Sequence, residues 1–293
     1  MQKFLRLLLA RALTAPQTSV HNSTAPLSLQ SNTLVRKMST MDNSTSSYST
    51  SSTTTKKILF LRHGQAQHNP RAEEARHNGC SHETFLQLMH EDDAFDAHLT
   101  PLGESQASKA GDLYSESISS VELVVSSPLS RAIKTADLAA PTCVDMKSHT
   151  NRACVEHFRE INGWLLNAKR RDRVDLEQRF HKAWDFSSLS DNDETWTDVL
   201  ETEEACAERG YLGLLWLKDR SEEKILTVTH GGLLRFIANH PNIEVVDTRS
   251  EDKKRFGNCE LREYSVSWTS DSDEDHITEE RPLVILKEIQ IIG

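Results

Sequence analysis

The chain has little to cross-link it. Its five cysteines, Cys80, Cys143, Cys154, Cys206 and Cys259, are odd in number and scattered, and no Cys-x-x-Cys pair occurs. That argues against a disulfide framework and a structural zinc site, and leaves free thiols in a reducing compartment as the expectation. Long hydrophobic runs are missing too. The stretch from Phe4 to Leu13 is too short to span a bilayer, and Arg6 and Arg11 interrupt it as a secretory core. No membrane partner is expected. A basic surplus is also absent: the net charge is -10, which argues against a nucleic-acid partner. A local basic pocket for a small anion remains open.

Acidic residues are absent from positions 1–41, which hold Lys3, Arg6, Arg11, Arg36 and Lys37 among many Ser, Thr, Ala and Leu. Such a start looks like an organelle transit peptide over residues 1–38. The expected address is mitochondrial, with the plastid or the cytoplasm as alternatives, the last by translation from Met38 or Met41. Residues 39–55 are Ser or Thr at 13 of 17 positions, with no Val, Ile or Leu. That tract cannot bury a core and is expected to be a disordered linker. The folded domain is therefore assigned to 56–293.

What is present centres on Lys57-Ile58-Leu59-Phe60-Leu61-Arg62-His63-Gly64. Four consecutive apolar residues between polar flanks predict a buried central strand. The phrase returns as Lys224-Ile225-Leu226-Thr227-Val228-Thr229-His230-Gly231. Ligands of open α/β sheets bind outside the carboxyl ends of the strands, so two such strands, if parallel, carry two imidazoles into one crevice. Thr100-Pro101 predicts a helix start running to about Ser117. Residues 121–126 predict another buried strand, and Ser127-Pro128 a second helix start with Arg131 on its first turn. Further readings are a helix over 83–89, a short strand within 141–155, a helix over 197–219, one after Gly231-Gly232, and strands over 259–267 and 283–291. Acidic loops are expected at 191–194 and 271–275.

Arg62, His63, Arg131 and His230 thus fall where strands give way to loops or helix N-termini, which add N–H groups and positive dipole. Together they suit a multiply charged oxyanion, phosphate best. Arginine forks chelate equatorial oxygens. A neutral imidazole can attack phosphorus once a hydrogen bond at its other nitrogen fixes the tautomer.

Leu61-Arg62-His63-Gly64 with Asn69, Leu99-Thr100-Pro101-Leu102-Gly103, Ser127-Pro128-Leu129-Ser130-Arg131-Ala132 and Thr229-His230-Gly231-Gly232 occur in the order seen in the histidine phosphatase superfamily. The chain resembles its phosphoglycerate-mutase-like members, most of all the plant- and fungal-type phosphatases, through Cys154-Val155-Glu156-His157 and Asn258-Cys259-Glu260-Leu261. The resemblance implies an α/β three-layer sandwich, a mainly parallel sheet flanked by helices, with residues 70–98 and 156–200 as cap insertions. It implies a phosphohistidine on His63, phosphoryl contacts from Arg62, Asn69, Arg131 and His230, and Glu156 as proton donor, with Glu160 as its rival. Many glycolytic mutases carry Glu where this chain has Gln65 and an aromatic where it has His68, which favours a phosphatase.

The expected function is metal-independent hydrolysis of a small phosphorylated substrate, without cofactor. Alternatives are a phosphoglycerate-type mutase, a non-catalytic phosphate- or partner-binding protein, and a metalloenzyme using His77, Cys80 and His82. The basic cluster of Lys169, Arg170, Arg171 and Arg173 reads as a solvated helix face or, less simply, as a contact for a second anionic group.

Overall fold

The computed structural model describes residues 53–141, 152–180, 184–246, 255–269 and 281–291. Residues 1–52, with the expected transit peptide and most of the Ser/Thr tract, lie outside them, as do Cys143 and the acidic stretch 271–275. Seven strands are found there: β1 (Thr54–Arg62), β2 (Leu123–Ser126), β3 (Arg152–Cys154), β4 (Lys224–Thr229), β5 (Ile243–Val246), β6 (Leu261–Thr269) and β7 (Leu283–Ile291). They form one sheet in the order β3-β2-β4-β1-β6-β7-β5. The first four run parallel, β6 is antiparallel to β1 and β7, and β5 is parallel to β7.

The unbroken apolar run of β1 follows from its place between β4 and β6, where both faces are covered. Leu59 and Leu61 join one core, with Ala107, Ala110, Ala132, Ile133 and Ala136. These alanines lie on α3 (Pro101–Leu113) and on α5 (Ser130–Ala139), with the short α4 (Ser115–Ile118) between the two in sequence. Ile58 and Phe60 join the opposite core. There they meet Ala207, Tyr211 and Leu214 of α7 (Glu203–Lys218) and Leu233 and Phe236 of α8 (Gly231–Ile237). The result is the expected three-layer sandwich. A third, smaller cluster joins Ala72 and Met89 to Leu165 and Ala168. It ties α1 (Asn69–His77) and α2 (His82–His90) to residues of the second insertion. That insertion also carries α6 (Arg173–Phe180).

Several boundaries differ from the sequence reading. The helix expected from 197 begins at Glu203, where Thr202 Oγ1 accepts the Ala205 N–H at 3.1 Å. The helix after Ser127-Pro128 begins at Ser130, and its first N–H is met by a distant side chain. Asp96 Oδ1 accepts the Ser130 N–H at 2.8 Å, and Oδ2 accepts the Ser130 hydroxyl. Ser127 Oγ accepts the Leu129 N–H just ahead of the helix, at 3.3 Å.

Candidate active site

The register of the two central strands builds the site. Lys57 pairs with Lys224, Ile58 with Ile225, and so on to Arg62 with Thr229. The repeated phrase is thus in phase across the sheet. The His63 N–H donates to Thr229 O at 3.0 Å, and the rings of His63 and His230 stand 4.9 Å apart between centroids.

His63 is 2% exposed. Its Nδ1 lies 2.6 Å from Gly64 O, and Arg131 Nε donates to its Nε2 at 3.4 Å. A carbonyl only accepts, so Nδ1 bears the hydrogen and Nε2 the lone pair. Burial pushes this imidazole well below the usual histidine range, and Arg131 and then Arg62 push it further. It is neutral, with its nucleophilic nitrogen exposed to the cations. The loop behind it is clamped by α3. The Thr100 N–H donates to Gln65 O at 2.9 Å, and Thr100 Oγ1 donates to Gln65 Oε1 at 2.9 Å. A Cβ on Gly64 would lie 2.5 Å from Gly103 O, and one on Gly103 would sit on Gln65 O. Glycine at both positions lets the two backbones touch, which gives the Leu-Thr-x-x-Gly segment its structural meaning.

Arg62 is held by Phe256 O at 2.9 Å and Glu73 Oε1 at 2.7 Å. Arg131, fully buried, donates through Nη1 to Asn167 O at 2.6 Å. Burial brings Arg131 down to about 10, opposed by the carboxylates of Glu160 and Asp96, so it is still a cation at neutral pH. His230 Nε2 lies 2.7 Å from Ser127 Oγ. Burial, then Arg131 and His63, hold His230 well below its ordinary value. Anchored in this way, the site residues leave polar atoms over. Arg62 Nε, Arg131 Nη2, His230 Nδ1, His68 Nδ1 and Asn167 Nδ2 are buried with no hydrogen-bond partner among the described residues. Buried donors are normally satisfied, and a cluster of them around a neutral imidazole suits a phosphoryl group.

Asn69, expected to touch phosphate, lines the crevice with its carboxamide bonded to neighbouring residues. Its Oδ1 accepts the Ala66 N–H at 2.9 Å, which orients the carboxamide, and its Nδ2 donates to His68 Nε2 at 3.1 Å. The hydrogen of a neutral His68 is then on the unpartnered Nδ1. Burial, with Arg131 and Arg62 after it, keeps this ring neutral. His68 is the site residue that the sequence reading passed over; its place between His63 and Asn69 was the available signal. A hydrogen bond to an anion contributes about 1.5–3 kcal/mol. His68→Leu is accordingly expected to weaken vanadate binding by about tenfold or more, and His68→Gln to recover part of it, in a calorimetric titration.

Glu156, expected as the proton donor, has its carboxylate bound by two arginines. Like Arg131 and His230, it is not part of the crevice lining. Its carboxylate accepts from Arg159 Nη1 at 3.1 Å and from Arg170 Nε. Glu160 lines the crevice instead. Its carboxylate accepts the N–H groups of Ile161 and Leu233 at 3.0 and 3.1 Å and that of Gly232 at 3.3 Å. A Cβ on Gly232 would strike this carboxylate. Arg159 between them is extended (φ -66°, ψ 159°), so Glu156 and Glu160 do not share a helix face.

The basic cluster is neutralised within the protein. Arg170 is buried on Glu156, Arg171 lies 3.3 Å from Asp96, Arg173 bonds Asp191 at 2.5 Å, and Lys169 sits over Trp196. Among the described residues, no group of three His, Cys, Asp or Glu side chains is gathered as a metal site, His77, Cys80 and His82 included. The crevice encloses about 330 Å³. A larger cavity of about 620 Å³, lined by Phe60, Tyr264 and Leu286 among others, contains none of the three histidines.

Parallel strands thus deliver two histidines beside two arginines in an α/β fold, a cationic setting that suits an anion. Comparison with known proteins carries this further: the chain belongs to the histidine phosphatase superfamily (branch 1), whose model matches residues 58–267. Phosphoglycerate mutase-like protein 1 of Arabidopsis thaliana is 34% identical over 240 residues, covering 71% of this chain and 79% of that one. Phosphoglycerate mutase-like protein 2 of the same plant is 30% identical over 261 residues, covering 71% and 73%. Among solved structures, the mycobacterial glucosyl-3-phosphoglycerate phosphatase is 17% identical, with a TM-score of 0.44 over 81% of this chain and 99% of that one.

Proposed function

We propose that the protein hydrolyses a small phosphomonoester through a phosphohistidine on His63. The observation that carries this reading is the free Nε2 of a neutral, tautomer-fixed His63 amid buried unpartnered donors. Nε2 attacks phosphorus while Arg62, Arg131, His230 and His68 hold the equatorial oxygens. The P–O ester bond breaks, and the departing alkoxide takes a proton from the Glu160 carboxyl. The alcohol leaves. Water then attacks the phosphorus, giving its proton to the Glu160 carboxylate; the N–P bond breaks and inorganic phosphate is released. Arginines supply the positive charge in this scheme, so a chelator is expected to leave the rate unchanged. Gln65, which bonds Thr100, stands where many mutases use Glu, and this supports transfer to water. The mutase reading is favoured by the names of the plant relatives; it requires phosphate to pass to a second substrate oxygen without appearing free in solution.

The proton donor is tested with two leaving groups. With an alkyl phosphate, Glu160→Gln is expected to slow phosphohistidine formation by about a hundredfold or more, the scale of lost acid catalysis. With nitrophenyl phosphate, whose leaving group needs no proton, the same step is much less affected. Glu156→Gln should show no such split. The split appearing in Glu156→Gln instead would return the role to Glu156.

A further inference from the structure

The wall of the crevice beyond the histidines has an uneven charge balance. Of its carboxylates, Glu73 is bonded to Arg62 at 2.7 Å, Glu201 to Arg209 at 2.7 Å and to the Asn162 N–H at 2.9 Å, and Glu160 to the start of α8. Glu203 is exposed on the first turn of α7. Three arginines of the same wall make no ion pair among the described residues: Arg76 on α1, Arg235 on α8 and Arg255 next to Phe256. All three are exposed.

The Arg76 guanidinium and the backbone at Arg255 are held before any ligand arrives, and Arg235 lies over Phe236, 5.3 Å from its centroid. Arg76 lies over the Phe85 ring, 3.4 Å from its centroid, which fixes the plane of its fork. The backbone at Arg255 and Phe256 is tied down on both sides, since Arg262 Nη2 donates to Arg255 O at 2.9 Å and Arg62 Nη1 to Phe256 O at 2.9 Å. The segment that carries Arg255 is therefore bolted to a guanidinium of the phosphoryl site. Arg76 and Arg255 also repel each other. After burial, the charge of Arg255 does most to lower the pKa of Arg76, with Glu73 opposing it. Like charges held together are relieved by a shared anion. Much of the remaining wall is apolar, with Phe85, Leu86, Met89, Leu165, Leu200 and Phe236. Arg235, Arg255 and Phe256 line the larger cavity as well, so a longer carbon body has room.

We propose that Arg76, Arg235 and Arg255 form a second anion subsite, and that the substrate is a phosphomonoester with a second negative group, a carboxylate or a further phosphate, at the far end of a carbon chain. The proposal rests on the phosphomonoesterase reading and adds the substrate class to it. Forked guanidiniums suit either group.

The test compares three series of straight-chain phosphates of three to eight carbons, ending in methyl, carboxylate or a second phosphate. The full-length protein is expected to prefer one charged series over the methyl series by about tenfold or more in kcat/KM at its best chain length. The carboxylate and phosphate arms identify which group is meant. In the triple variant R76Q/R235Q/R255Q the charged-to-neutral ratio should fall towards one, and added salt should lower it in the wild type. Equal rates for all three series, or a preference that survives the triple substitution, overturns the subsite. The same comparison is made by calorimetry with the matching non-hydrolysable phosphonates. Tighter binding of the charged phosphonates with no turnover of any phosphate would uphold the subsite and reject the hydrolase reading. Turnover of all series without preference would do the reverse.

Discussion

His63→Ala reduces phosphomonoesterase turnover to background, a loss of about 10⁴-fold or more, as expected when the atom that forms the covalent bond is removed. The fold survives, because the ring belongs to neither apolar core and its removal leaves the β1 to β4 ladder intact. Far-ultraviolet circular dichroism and a melting temperature within several degrees of wild type would establish this. The variant also changes the pH dependence of stability with a definite sign. The folded pKa of His63 lies well below 6.5 through burial and the arginines. An unfolded histidine titrates near its ordinary value of about 6.5. As pH falls below that value, the unfolded chain binds a proton the folded one refuses, so folding weakens until the folded pKa is passed. His68 and His230 add to the same loss. His63→Ala is thus expected to lose less stability than wild type across that window, read from denaturant melts at stepped pH.

Arg131→Ala is expected to lower kcat by about a hundredfold to a thousandfold, the scale for one transition-state donor. Its Nε reaches His63 Nε2, its Nη1 is anchored on Asn167 O, and its Nη2 has no partner. The guanidinium therefore touches both the nucleophile and the position of the phosphoryl oxygens. After burial, its charge is also the largest influence holding His63 below the histidine range. Without it the His63 pKa rises, and the acid limb of kcat/KM moves to higher pH. Arg131→Lys restores a charge but no fork, so it recovers the position of the limb better than it recovers kcat. A surface-like response, with neither rate nor limb altered, would remove α5 from the site.

How far the sequence could be read depended on what each feature rests on. β1 and β4 were legible because a parallel strand buried on both faces must be apolar throughout, and the repeated Lys-Ile-Leu…His-Gly turned out to be strand register. The start of α3 was legible because Thr100 caps it locally, its Oγ1 accepting the Gly103 N–H at 3.0 Å. The start of α5 was not, since Asp96, 34 residues away, does the capping. α1 was hidden because its buried side consists of Asn69 and Ala72, which leaves no apolar period to see. β5 is four residues long and is paired through β7.

The site divided along the same line. The residues fixed by strand ends, Arg62, His63 and His230, could be placed from the sequence. Arg131, on the first turn of α5, could be placed too, although Asn167 O anchors it; the carboxylates and His68, held by tertiary hydrogen bonds, could not. Glu156 and Glu160 are four apart in a segment rich in charge, and a backbone extended at Arg159 decides which of them meets the crevice. Arg170 and Arg171 read as solvated, yet Glu156 and Asp96 draw them into ion pairs. His68 depended on the orientation of one carboxamide, which follows from the Ala66 N–H and from nothing within the motif.

The central claim is a covalent bond between phosphorus and His63 Nε2, and rapid quenching tests it directly. The full-length protein is mixed with a phosphomonoester labelled in the phosphoryl group, quenched in alkali within milliseconds, digested, and mapped by mass spectrometry. The expected result is a stoichiometric, alkali-stable, acid-labile label on the peptide containing His63, formed and lost at rates that account for turnover. Phosphate released without any labelled protein, or label on another residue, would contradict it.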